Sequence, residues 1–183
     1  MGTRHIIAVQ VDGEYKIAQY GQWDGYREGQ GLTVLRFLQG VDHKAFADKC
    51  RKLTVLSDDA ASEIDRIPDW PEVYPHLSRD AGAKILHMVD KASEPLALSL
   101  HPEFALDSLM CEFAYVIDFD ANTFEVFEGF NKKPVATGRF VGGMRDGGNY
   151  GPVNLVQQWP LDALPTEDEF LSGGDKGSEG GAE

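Results

Sequence analysis

The chain opens on a β-branched run, His5-Ile6-Ile7-Ala8-Val9-Gln10-Val11, too continuously apolar for an exposed edge strand. Asp12-Gly13 follows, a dipeptide that suits a tight hairpin turn because both residues tolerate positive φ. Residues 14–20 return with Tyr15, Ile17 and Gln19 on one face, so residues 5–20 read as a β-hairpin. The alternation then stops, and residues 21–31 form a loop dense in glycine and aromatics. Leu32, Leu35 and Phe37 or Leu38 predict a short helix over 32–39. Phe46, Cys50 and Leu53 share one helical face over 43–53. Ser57-Asp58-Asp59 starts a helix running to Ile67. Pro68, Pro71 and Pro75 make residues 68–76 an irregular connector. Ser78 is the expected N-cap of a helix over 79–92, with Ala81, Ile85, Met88 and Val89 turned inward.

The second half reads mostly as strand. Residues 96–100 and 111–119 are strands; Asp120-Ala121-Asn122-Thr123 is a turn, and Phe124-Glu125-Val126-Phe127 returns antiparallel. Further strands are expected over 135–141 and 153–159, joined by a Gly142–Tyr150 loop. After Phe170 the composition turns to Gly, Ser and acid. The expected architecture is α+β: an antiparallel sheet built from the N-terminal hairpin and the C-terminal strands, with helices from the middle of the chain packed on it. Residues 1–171 form one domain in this reading, and 172–183 a disordered acidic tail.

Charge narrows the function classes. Against 30 acidic residues stand 17 basic ones, a net −13 with a pI near 4.7. Nucleic-acid affinity rests on cationic contacts to phosphate, so direct nucleic-acid binding is disfavoured, as is adsorption to an anionic membrane. A basic protein partner is permitted. Cys50 and Cys111 are too few and too far apart for a disulfide framework. No basic start with an apolar stretch behind it marks a signal peptide, and no apolar run is long enough to span a bilayer, so a cytoplasmic protein is expected.

The chemistry-bearing segment is Tyr20-Gly21-Gln22-Trp23-Asp24-Gly25-Tyr26-Arg27. Aromatics supply flat apolar walls, while Gln22 and Asp24 supply directional polar contacts. Gly29-Gln30-Gly31 before a helix suggests free N–H groups for an anion, with Arg4 or Arg27 as counter-charge. The ligand-binding set is therefore Arg4, Tyr20, Gln22, Trp23, Asp24, Tyr26 and Arg27, and the ligand small and polar or anionic. Thr3 at the head of a strand is a candidate nucleophile of the kind that uses a free α-amine as base, although removal of Met1 would expose Gly2 instead. Thr3 starting the strand with Arg4 paired to a carboxylate is the plainer reading. Asp118, Asp120, Glu125 and Glu112 can meet across a hairpin, but acids flanking a turn usually cap backbone groups. Ser78-Arg79-Asp80 reads as helix capping, with Arg79 able to face a site. The histidines show no metal-ligand spacing, so no metal or cofactor is expected.

Met1-Gly2-Thr3-Arg4, the segment Ala18–Tyr26 with Gly29-Gln30-Gly31, Leu77–Leu86, Cys111–Asp118 and Phe124–Phe127 together resemble a family of proteins without assigned activity, found in bacteriophages, some bacteria and filamentous fungi. The likeness reaches to about residue 130 and transfers no catalytic residue. That family usually has Pro after Asp-Gly-Tyr, where this chain has Arg27. The layout also has a distant likeness to Ntn hydrolases. The resemblance implies a phage-type accessory protein, in the host cytosol if phage-encoded. With the residues above it leaves two functions: a small-ligand pocket on the 20–31 loop, with hydrolysis as one use of it, or an acidic interaction protein that inhibits a host defence or nucleic-acid enzyme.

Overall fold

A computed structural model describes residues 2–144 and 148–173. Its centre is a five-stranded sheet in the order β2-β1-β5-β6-β7. The strands are β1 (His5–Val11), β2 (Glu14–Gly21), β5 (Phe113–Asp118), β6 (Thr123–Glu128) and β7 (Asn154–Pro160). The fold is α+β and the sheet mostly antiparallel, as the hairpin patterns require. One pairing differs: β1 and β5 run parallel, His5 beside Phe113 and Val9 beside Ile117. Parallel neighbours need a long crossover, and residues 22–112 supply it. β1 is covered on both faces, which explains its unbroken apolar run.

Helices cover one face. Those that pack on it are α1 (Leu32–Gly40), α2 (His43–Cys50), α5 (Lys84–Lys91) and α6 (Glu167–Ser172), while α3 (Asp58–Ile64) and α4 (Trp70–Val73) bury no residue and add nothing to the core. Ile7, Val9, Tyr115, Ile117 and Phe124 from the sheet pack there against Leu35, Leu38, Phe46, Ile85, Leu86 and Phe170. On the opposite face Ile6, Ala8, Ala18, Ala114 and Val116 meet Ala105, Cys111, Phe140 and Val153. The small alanines let covering chain come close. Across this face runs a strap between β6 and β7. Val135 and Gly142 bridge each other, and Gly138 turns at φ +101°.

Several local expectations shift. The strand expected over 135–141 is only that single bridge, because Pro134 and the positive φ of Gly138 break extended pairing. Residues 96–100 contribute the two-residue β4 (Ala97–Leu98), paired parallel to β3 (Thr54–Val55). The 79–92 helix begins only at Lys84, since Gly82 takes φ +50°. Ser78 accepts from Asp80 N at 3.1 Å instead of capping α5; that service falls to Gln30, whose Oε1 accepts from Ala83 N at 2.8 Å. α6 was not anticipated, and it carries Ser172 from the expected tail into a helix. Thr166 and Glu169 form a reciprocal capping box at its start. The rest of the expected tail, 174–183, lies outside the described residues. Among the described residues no helix is long and apolar enough to cross a membrane.

Candidate functional site

The 20–31 loop leaves β2 and folds back over the helix side of the sheet. Its underside is fixed first. Gly25 N donates to Thr3 O at 2.9 Å, and the Tyr115 hydroxyl donates to Gly25 O at 2.8 Å. His5 is fully buried beneath it, pressed between Gly21 and Gly25, where an added Cβ would fall 2.2 Å from Nε2 and 2.8 Å from the His5 Cβ. His5 Nδ1 lies 3.4 Å from Thr3 O, and Nε2 has no partner. Burial lowers the His5 pKa to about 4, opposed by that carbonyl and by the Asp24 charge. The loop ends in one π-helical turn, Arg27–Gly31, that runs into α1. Gly29 N and Gly31 N donate to Tyr26 O, and Gln30 N to Asp24 O. The expected nest of free amides is therefore closed by the loop's own carbonyls.

The candidate residues part company on this scaffold. Arg27 is buried: it donates to Glu128 Oε1 at 3.0 and 3.1 Å, to Phe170 O at 3.0 Å and to Gln157, with the Phe170 ring 5.7 Å away. Arg4 pairs with Glu112 at 3.4 Å and donates to Leu109 O. Trp23 is exposed, its Nε1 donating to Asp80 at 2.8 Å. Tyr26 is also exposed and reaches Asp24 at 3.3 Å; the Asp24 carboxylate raises its phenol pKa. Thr3 is half-buried and its hydroxyl has no hydrogen-bond partner among the described residues. Tyr20 donates to Gln22 Oε1 and stacks edge-on against Phe104 at 4.8 Å.

Tyr20 stands between two cavities. One, of about 410 Å³, adjoins Phe104 and Met110, the latter also touched by Arg4. The other is a crevice of about 530 Å³ between the end of β2 and the α3–α4 segment. Its walls include Tyr20, Trp70, Leu77, Arg79, Asp80 and His101. The predicted loop docks on this crevice through Gln22 N to Arg79 O at 3.1 Å and through Trp23 to Asp80. Thus Tyr20 lines the space directly, Gln22 and Trp23 brace its rim, and Arg4, Asp24, Tyr26 and Arg27 are not among its lining residues. Among the three arginines nearest the loop (Arg4, Arg27, Arg79), only Arg79 has no acidic partner among the described residues.

The other face holds a constellation of which the sequence marked only the carboxylates Asp118 and Glu125, and not the arginine that joins them. Arg139 on the strap donates to Glu125 at 2.7 and 2.9 Å, to Asp118 and to Gln10. Burial disfavours the cation, but bonds to Glu125, Asp118 and Tyr15 raise its pKa above the usual value. Burial likewise opposes an ionised Asp118, yet the Ala121 amide and Arg139 hold it below the usual range. Asp118 Oδ1 also accepts from Asp120 N at 2.9 Å, so the turn-capping role expected of these acids holds there. Beside Arg139 opens a cavity of about 730 Å³. A lone Arg twelve or more residues from its carboxylates in sequence gives no periodic signal, which is why sequence reasoning passed over it.

Both cysteines are buried free thiols, and burial pushes Cys50 up to about 12 and raises Cys111 as well, which disfavours the thiolate at either. Among the described residues no three His, Cys, Asp or Glu side chains gather as a metal site would need. No protein-family model, no curated protein and no solved structure matches the chain.

Proposed function

We propose that the protein binds a small anionic ligand with a flat apolar part in the crevice beside Tyr20. One observation carries this reading: Arg79, free of any acidic partner among the described residues, borders a crevice walled by Tyr20 and Trp70. The volume of about 530 Å³ falls in the range of ligand pockets. A chain of net −13 repels anions at long range, so binding needs a local, unneutralised cation. Arg79 provides it; of the two carboxylates in the same lining, Asp80 is engaged by Trp23, while Asp65 makes no ion pair among the described residues, so the ligand's anionic end belongs on the Arg79 side. The aromatic loop thus serves the site by bracing its rim. Binding is the extent of the proposal, since no base meets Thr3 among the described residues. A ligand-binding accessory protein is in keeping with the phage-type resemblance.

The test is calorimetric and thermal-shift titration with nucleoside monophosphates and small aromatic carboxylates. The wild type should be stabilised by mass action, and Arg79→Ala, an exposed substitution, should weaken binding about tenfold or more without lowering Tm. If no probe binds, or if Arg79→Ala binds equally well, the reading fails. The acidic, wholly unburied α3 segment would then be the better place to seek function, as a surface for a basic protein.

A further inference from the structure

We infer that the space between the strap and the sheet is a second binding site, built for a neutral polyhydroxylated ligand of sugar size. The cavity is the largest described, about 730 Å³, and shares no lining residue with the Tyr20 crevice. Its chemistry follows from what its charges have already used. Arg139 makes four of the five N–H donations a guanidinium can make, so it has little left for an incoming anion. One cation between two carboxylates also leaves the floor with an excess negative charge, which an anion would meet.

A cation fares no better. Glu125 Oε1 accepts from Thr123 and Arg139, and Oε2 from Arg139. Asp118 Oδ1 accepts from Asp120 N and Ala121 N, and Oδ2 from Arg139. Every carboxylate oxygen has a donor, and both side chains are almost wholly buried. An ammonium ion would have to displace existing bonds to reach one.

What stays open is neutral. The Gln10 amide N–H₂, the carboxamides of Asn154 and Gln158 and the Thr137 hydroxyl line the cavity without partners among the described residues. A carboxamide offers a donor and an acceptor side by side, the pairing that two adjacent hydroxyls present in return. Between these groups lie Tyr15, Phe127 and Leu155, which offer apolar surface to the C–H face of a sugar ring. The buried Arg139 network then acts as a rigid floor whose charged groups are already hydrogen-bonded to one another, so the open amides need no reordering beneath them.

The test titrates the protein with D-glucose, N-acetyl-D-glucosamine and maltose, and with putrescine and inorganic phosphate as charged probes. Calorimetry gives affinity, and the side-chain amide signals of Gln10, Asn154 and Gln158 give location. At least one sugar should bind saturably and shift those signals. Gln158→Ala and Asn154→Ala, both exposed on β7, should each weaken it about tenfold at unchanged Tm, while Arg79→Ala leaves it intact and so separates this site from the Tyr20 crevice. Absence of sugar binding, binding of putrescine or phosphate alone, or sugar affinity indifferent to Gln158→Ala and Asn154→Ala would each overturn the inference.

Discussion

Two arginines clasp two irregular segments onto opposite faces of one sheet, and they do it to different ends. Arg27 ties the aromatic loop to β6 and β7 through Glu128 and Gln157, then closes against Phe170. Its guanidinium lies in packed surroundings and lines none of the described cavities. Arg139 ties the strap to β5, β6 and β1 through Asp118, Glu125 and Gln10, and leaves an open space beside it. The difference lies in what surrounds the clasp. On the helix face large side chains such as Tyr115, Phe124 and Phe170 fill the volume. On the strap face the alanines pack with Phe140 and Val153, and the open volume lies beside them among Gln10, Tyr15, Thr137 and Gln158. The same ionic device is thus a plug on one face and a floor on the other.

The charge balance should make the two clasps unequal in energy. Arg139→Met would leave Asp118 and Glu125 buried together without a cation, and breaking such a buried arrangement costs about 4–5 kcal/mol. Urea denaturation near neutral pH measures this. The deficit should shrink in acid. Asp118 is held below its usual pKa in the wild type, so its contribution is present above the unfolded value and lost as pH falls through the folded one. Without Arg139 its share of that contribution is absent from the start, only the Ala121 and Asp120 amides remaining, and the two stability curves should converge at low pH.

Arg27→Met should cost less, about 3 kcal/mol, because the carboxylate it abandons, Glu128, is a third exposed and can turn to water. Equal losses in the two variants would mean that cavity and plug are energetically alike, and the contrast drawn between the faces would fall.

The sequence signals that succeeded were local ones. The apolar run of β1 and its Asp12-Gly13 turn, the hairpin at Asp120–Thr123 and the helical faces of Leu35–Leu38 and Phe46–Cys50 each depend on neighbours a few residues apart. The parallel pairing of β1 with β5 depends on residues over a hundred positions apart, such as His5 and Phe113, and leaves no periodic trace. Arg27 and Arg139 illustrate the same limit, since a buried arginine is recognisable only from the carboxylates that meet it. Some misses had a visible signal. Thr166 and Glu169 have capping-box spacing, and the acidic, glycine-rich composition beyond them obscured a helix that Phe170 anchors. Gly82 inside a helical pattern was likewise a warning that α5 starts late. Within the aromatic loop, composition identified Tyr20 and Trp23 as unusual, and Arg79 read as a capping-segment residue able to face a site, but nothing local placed that distant arginine beside them.

The smallest predicted effect concerns what lies under the loop that Arg27 clasps. His5 is neutral in the fold, with a pKa of about 4 against an ordinary 6.5, because burial excludes the charged form. The unfolded chain takes up a proton between these values and the folded one does not, so stability rises with pH across that window and is lost as pH falls from 6.5 toward 4. From about pH 7.5 to about pH 5 the loss attributable to His5 is about 2 kcal/mol. His76, lowered by burial to a lesser depth, contributes in the same direction. Asp118, the Arg139 partner held below its usual value, titrates below this range, so the loop side should weaken before the strap side does. His5→Gln, which cannot take up a proton, should flatten urea-denaturation stability between these two pH values relative to wild type, whatever its absolute cost. The protection factor of the Gly25 amide, its exchange corrected for the intrinsic pH dependence, should fall in the wild type over the same interval, while that of the Val135 amide, bonded to Gly142 in the strap, stays constant. A variant that keeps the full wild-type slope would assign the acid sensitivity to groups other than His5 and remove the titratable difference between the two faces.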